Sequence, residues 1–241
     1  VIKIKISGVI KNSFVDYPDN IATVLFTLGC NLDCLYCHNH ELLDENNKHY
    51  KTENILNFLK KRKKYIDGVV ITGGEPTIQS DLISFIKKIK NIGLKIKLDT
   101  NGTNPKAIKN ILEKELINYI AIDLKVPIKK LNILGLRKSN KKNEYLINLM
   151  KTVSLLKKKD DLKIEFRTTF IPNVHTFKNV EELMRIIPDK KNVIYTIQNF
   201  RNKNIREFDE LPKKGFEDED LKKFADIGVR YLKKAKIKCN I

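Results

Sequence analysis

A chain of 241 residues is long enough to bury one substantial core and falls in the size range where α/β barrels form as one unit, so a single domain over residues 1–241 is expected. Lys and Arg number 47 against 29 Asp and Glu, a formal net charge of +18, yet the excess lies largely in runs such as Lys60-Lys61-Arg62-Lys63-Lys64 and Lys157-Lys158-Lys159, on segments of helical periodicity where such runs are solvated faces. No basic patch interleaved with aromatics, of the kind that holds single-stranded nucleic acid, is visible; nucleic acid is therefore not an expected partner, although the charge would attract an acidic protein or an anionic cofactor.

In chain order, Val1 to Ile10 alternates Ile and Val with Lys, Ser and Asn, without the apolar core and small-residue cleavage site of a signal peptide. No apolar run approaches the span of a bilayer, so a soluble cytoplasmic protein is expected. From Ile21 onward short β-branched runs alternate with longer helical patterns, the signature of βα units on a parallel sheet. The predicted strands are 21–27, 69–72, 94–98, 119–124, 162–170 and 193–199. The predicted helices are 52–64, 79–91, 105–114, 144–158, 180–187 and 217–234. Asn104 before Pro105 fits an N-cap with proline at the first helical position, and Gly93 sits where the second helix must stop. Six βα units from about residue 21 to residue 235 fit a partial (β/α)6 barrel of the TIM-like kind better than a closed eight-fold one.

The reactive residue types fall at the carboxyl ends of these strands, the functional rim of a βα barrel. A cysteine cluster follows the first strand and Gly73-Gly74-Glu75 the second. Asp99-Thr100-Asn101-Gly102 follows the third, and Asp123 with Lys125 closes the fourth. Arg167 and Thr169 lie late in the fifth, and Gln198 ends the sixth.

The loop at residues 29–39, Gly-Cys-Asn-Leu-Asp-Cys-Leu-Tyr-Cys-His-Asn, spaces Cys30, Cys34 and Cys37 as C-x-x-x-C-x-x-C. So tight a cluster suits metal binding rather than loop stapling. Three thiolates on one short loop can hold three irons of a cubane and leave the fourth open. A closed zinc site with His38 or His40 as fourth ligand is the competing arrangement, although no second Cys or His pair follows.

Together, the cysteine spacing with an aromatic before the last Cys, and the later strings TGGEPT, LDTNGT and DLKVP, resemble the radical S-adenosylmethionine enzymes over nearly the whole chain. With SFVDYPDNIATVLFTLGCNLDCLYCHN they resemble, more narrowly, the activating proteins of anaerobic ribonucleoside-triphosphate reductase. Relatives are expected to carry Gly after the proline of that first string, where this chain has Asp19.

The resemblance implies a [4Fe-4S] cluster on Cys30, Cys34 and Cys37 whose open iron is chelated by S-adenosylmethionine, and one-electron cleavage of the latter to a 5′-deoxyadenosyl radical. It implies that Gly73, Gly74 and Glu75 bind the methionyl amino group, with glycines that let backbone approach a ligand. Asp99 and Asn101, with Thr100 between, suit ribose hydroxyls; the plain alternative is an Asn-Gly turn. Asp123 and Lys125 are two apart on a strand and face one side, where the resemblance puts the S-adenosylmethionine carboxylate. A monovalent cation near Asp99 and Asp123 is a further implication. Arg167 shares a face with Glu165 and Thr169, and either holds a carboxylate or pairs with Glu165 or a neighbouring strand. Gln198 is a ribose candidate, Tyr36 an adenine neighbour, and His38 a residue that tunes the cluster or touches the nucleoside. His40, His49, His175 and the lone thiol Cys239 carry no assignment.

The implied partners are a glycyl-radical enzyme, foremost the anaerobic reductase, and a low-potential electron donor such as flavodoxin or ferredoxin. Activation of another glycyl-radical enzyme, radical modification of a small molecule or nucleobase, and a zinc-stabilised nucleic-acid-binding module are the alternatives.

Overall fold

The computed structural model describes residues 2–206, 208 and 211–240. Among these the elements run β1 (Ile6–Ser13), β2 (Ala22–Thr27), α1 (Thr52–Arg62), β3 (Gly68–Gly73), α2 (Leu82–Ile92), β4 (Lys95–Thr100), α3 (Pro105–Glu113), β5 (Tyr119–Asp123), α4 (Ser139–Lys157), β6 (Lys163–Phe170), α5 (Phe177–Met184), β7 (Val193–Asn199), α6 (Asp218–Tyr231) and β8 (Lys236–Asn240). Strand order in the sheet follows chain order, as expected when each parallel neighbour is reached through one helical crossover. All six predicted strands and all six predicted helices are present. The structure adds β1 and β8, which are not among the predicted strands.

Two compact units are distinguished, one of Val1–Asn31, Glu41–Thr100 and Asn104–Ile120, the other of Leu32–His40, Asn101–Thr103 and Ala121–Ile241. In the first, β1 runs antiparallel to β2, and β2, β3 and β4 are mutually parallel. Val24, Leu25, Val69, Val70 and Ile71 are all buried, the unbroken apolar run required of a parallel strand covered on both faces. Helix α2 buries Leu82, Phe85, Ile86 and Ile89 at helical spacing and stops at Gly93, whose φ of 88° is left-handed. Asp19 has a φ of 63°, a left-handed conformation in which glycine is at ease and which aspartate tolerates better than most residues. The departure from the relatives' expected glycine therefore leaves the turn itself intact.

In the second unit β6, β7 and β8 are parallel, with Ile164 beside Val193 and Phe170 beside Asn199. Phe224 of α6 gathers Phe170, Phe177 and Phe216 around it at centroid distances of 4.5, 4.7 and 5.1 Å. Helix α4 begins at Ser139, five residues before the predicted start, because its first turn is polar and carries no apolar period. Helix α5 begins at Phe177 behind a reciprocal cap in which Thr176 accepts from the Asn179 N–H and the Asn179 side chain accepts from the Thr176 N–H.

One cap joins helix to sheet. The Asn104 side-chain oxygen accepts the Ala107 N–H at 3.2 Å, and its amide donates to the Thr77 carbonyl at 2.7 Å. Asn104→Ala should cost about 1–2 kcal/mol of stability in urea denaturation. Asn104→Asp, which keeps the acceptor and loses the donor, should cost less than the alanine. Equal losses would mean that the cap contributes nothing.

Candidate active site

Within the first unit, β2 leads into Leu28-Gly29-Cys30 and β3 into Gly73-Gly74-Glu75. The Gly74 N–H donates to the Thr27 carbonyl at 2.9 Å, and the Glu75 N–H donates to the Gly29 carbonyl at 2.8 Å. A Cβ on Gly74 would lie 1.9 Å from the Gly29 oxygen, and one on Gly73, whose φ is 116°, would lie 2.3 Å from the Thr27 nitrogen. The glycine pair was expected to make room for a ligand. Their missing side chains admit the backbone that leads into Cys30.

Two further bonds fix that backbone. The Leu28 carbonyl accepts from the Gln79 side chain at 2.7 Å, and the Gly29 N–H donates to the Leu42 carbonyl at 2.7 Å. Glu75 is buried, and one of its carboxylate oxygens receives the Thr77 N–H at 3.0 Å, the Thr77 hydroxyl at 2.5 Å and the Thr100 hydroxyl at 2.6 Å. This ties the turn after β3 to the end of β4. Asp99 is buried as well, its carboxylate 2.6 Å from the ammonium of Lys97.

In the second unit Cys34 is buried and Cys37 half-buried, and the Cys37 N–H donates to the Cys34 carbonyl at 3.1 Å, folding the C-x-x-C stretch into a turn. This part of the loop leans on the 3-10 turn Ile128–Leu134. Asp33 and Leu35 donate their N–H groups to the Leu134 and Ile133 carbonyls at 3.1 and 2.9 Å. Arg206 also pairs with Asp33. His38 Nε2 is bonded to the Arg201 carbonyl at 2.9 Å, so its ring is held by backbone. Asn101 accepts from the Thr103 N–H and hydroxyl at 3.0 and 2.6 Å, forming an Asn-Gly turn with Gly102 at a φ of 74°.

Asp123 stands between two cations. Arg167 reaches one carboxylate oxygen through Nε and Nη2, both at 2.9 Å, and Lys125 reaches the other at 3.2 Å. A pair with the neighbouring strand was one of the alternatives for Arg167, and it is formed. Glu165 accepts from Thr196 at 2.5 Å. Burial works against the Asp123 charge, but the guanidinium and the ammonium outweigh it and hold the carboxyl down to about 2. The backbone around this group is pinned on several sides. Leu124 N–H donates to the Arg167 carbonyl at 2.8 Å, the Thr168 hydroxyl donates to the Leu124 carbonyl at 2.9 Å, and the Tyr36 hydroxyl donates to the Lys125 carbonyl at 3.2 Å. Tyr36 is buried, and burial raises its phenol well above the ordinary value. Gln198 accepts from Thr169 at 3.5 Å.

Sequence reasoning left His175 without a role. It is 2% exposed, and its Nδ1 accepts the Ile171 N–H at 3.0 Å. That bond puts the ring proton on Nε2, which has no partner at normal hydrogen-bonding distance and lies under the influence of the Lys125 carbonyl. Burial keeps the ring neutral, with a pKa lowered to about 4. Lys97 was also missed, although a lysine two residues before Asp99 on a buried strand was a visible signal.

None of the three loop cysteines is in a disulfide, and each can serve as a ligand. Among the described residues no group of three or more His, Cys, Asp and Glu side chains converges on a point as ligands of a single ion. A cubane asks for something else, one thiolate for each of three irons, and the donor set fits it. No helix among the described residues is long and apolar enough to cross a membrane.

Residues 24–187 match the family model of the Radical SAM superfamily. A Methanocaldococcus jannaschii protein provisionally named a glycyl-radical enzyme activating enzyme is 33% identical over 95% of this chain and 94% of its own length. A pyruvate formate-lyase-activating enzyme of Staphylococcus aureus is 26% identical over 90% of this chain and 82% of its own. Among solved structures, a radical SAM methyltransferase from Sphaerobacter thermophilus superposes with a TM-score of 0.66 at 14% identity, covering 95% of this chain and 68% of that one. At that identity the likeness shows the fold alone: an α/β partial barrel of mostly parallel strands.

Two substitutions test the geometry. Gly74→Ala should lower stability by about 1–3 kcal/mol through overpacking against Gly29, and iron bound after anaerobic reconstitution should fall with it. Full iron content at unchanged stability would contradict the docking of the loop on this glycine. Asp123→Asn removes a carboxyl depressed in the folded state, so the stabilisation lost is present above the unfolded value of 3.8 and vanishes as pH falls to about 2. At neutral pH the variant should be less stable by at most about 2 kcal/mol. Urea denaturation across that range should show the two proteins converging at its acid end.

Proposed function

The chain belongs to the radical SAM superfamily and is an enzyme of its glycyl-radical activating type, and from that premise we propose that it takes hydrogen from a backbone glycine of an anaerobic ribonucleoside-triphosphate reductase. The observation that supports the reading is the loop of three cysteines outside any disulfide, whose first thiol follows a backbone docked on Gly73-Gly74-Glu75. A [4Fe-4S] cluster with S-adenosylmethionine, given one electron by a flavodoxin or ferredoxin, supplies methionine and the 5′-deoxyadenosyl radical that removes the glycine hydrogen.

The work of the chain is to hold and orient. Cys30, Cys34 and Cys37 ligate three irons. Gly73, Gly74 and Glu75 form the turn on which the methionyl amino group rests. Lys125 and Arg167, two cations around one carboxylate, give the S-adenosylmethionine carboxylate a positively charged seat that is largely withdrawn from water. Asp99, Thr100, Asn101 and Gln198 face the ribose, while Tyr36 and His38 stand by the adenine and the cluster. Glycine suits such an abstraction because no side chain obstructs approach to its Cα hydrogen.

The reductase is favoured over other glycyl-radical enzymes by the run of matching strings from SFVDYPDNIATVLFTLGC to DLKVP. In the test, reconstituted protein, S-adenosylmethionine, a reductant and the reductase are mixed without oxygen, and the electron paramagnetic resonance spectrum is recorded. A doublet that disappears when the reductase glycine is replaced by alanine is expected. Release of 5′-deoxyadenosine without that doublet, or a doublet formed only on a formate-lyase partner, would overturn the reductase assignment.

A further inference from the structure

The resemblance implies a monovalent cation beside Asp99 and Asp123, and the residues present do not fit one. Lys97 and Asp99 are two apart on β4, so their side chains leave the strand on the same side. The Lys97 ammonium lies 2.6 Å from the Asp99 carboxylate, and its side chain is 2% exposed. The same ammonium stands 5.4 Å from the centre of the Tyr119 ring, which Tyr17 meets edge-on at 5.8 Å. A sodium or potassium ion on Asp99 would therefore sit beside a fixed positive charge in an interior that screens poorly. Asp123 has its own counter-charges in Arg167 and Lys125.

An ammonium can do what such an ion does. It balances the carboxylate charge and, through three N–H donors, meets the oxygens that a hard cation would take as ligands. It also arrives with the chain, needing no capture from solution, and it sheds its hydration shell on folding rather than on ligand binding. We propose that Lys97 is a built-in replacement for the monovalent cation, so that this chain binds S-adenosylmethionine without sodium or potassium. This rests on the reading of Asp99 as part of the cofactor pocket, and it makes Lys97 a positioning residue for that carboxylate.

The test compares the reconstituted protein in potassium, sodium and choline chloride at equal ionic strength. Melting temperature and S-adenosylmethionine affinity should be the same in all three salts. A higher melting temperature or tighter binding in potassium or sodium than in choline would overturn the proposal. Lys97→Met keeps the length of the side chain and removes its charge, and it should create the missing dependence, with a higher melting temperature and several-fold tighter binding in potassium or sodium than in choline. A folded Lys97→Met protein indifferent to the cation would equally overturn it. Should that variant not accumulate as folded protein, the wild-type comparison decides alone. Should the wild type bind no S-adenosylmethionine, the proposed function fails, while the melting comparison still decides the question of the cation.

Discussion

The contact on which the site depends is a backbone one. The Glu75 N–H reaches the Gly29 carbonyl at 2.8 Å, and the space that makes this possible is the absent Cβ of Gly74. Two strand ends meet at van der Waals distance there, and no side chain larger than hydrogen can stand between them. Cys30 is the next residue along the chain, so the position of the first thiol follows from the parallel register of β2 and β3, in which Thr27 lies beside Gly73. Glu75 then extends the order outward, because its buried carboxylate collects donors from Thr77 and from Thr100 at the end of β4.

Charge on a buried (Asp99) and a half-buried (Asp123) carboxylate is handled by one rule. Asp99 takes an ammonium from its own strand, and Asp123 takes a guanidinium and an ammonium. Removing either partner from such a pair leaves a charge with little water to solvate it, which is why the pairs are complete within the chain. The two sites differ in balance. Around Asp123 two cations face one carboxylate, whereas Asp99 meets the ammonium of Lys97. The Tyr36 hydroxyl holds the carbonyl of Lys125, and Arg167 and Thr168 hold the backbone of Leu124, so the chain beneath that cation is fixed from opposite parts of the sequence.

The charge of +18 has less to do with this chemistry than its size invites. The lysines of the runs at residues 60–64 and 157–159 lie on helix surfaces or in the turns that follow, whereas Lys97, Lys125 and Arg167 lie on or beside strands and are paired with carboxylates. A buried cation is held by its partner, and a surface one is screened by solvent.

Strands and helices were legible from the sequence wherever apolar periodicity was long enough to declare itself, as in β3, α2 and α3, and the cysteine spacing with its following motifs declared the family. Elements with polar first turns or short alternating patterns, the start of α4 and the strands β1 and β8, were read short or missed, because exposed residues carry no period. The tertiary structure alone decided what each side chain touches. It set the loop backbone against the Gly73-Gly74 pair, paired Arg167 with Asp123, and buried His175 with its Nδ1 on the Ile171 N–H. It also paired Asp99 with Lys97 of its own strand. The physical reason is that spacing along a strand fixes which face a residue occupies, while its partner lies on another strand or turn, and only folding brings the two within hydrogen-bonding distance.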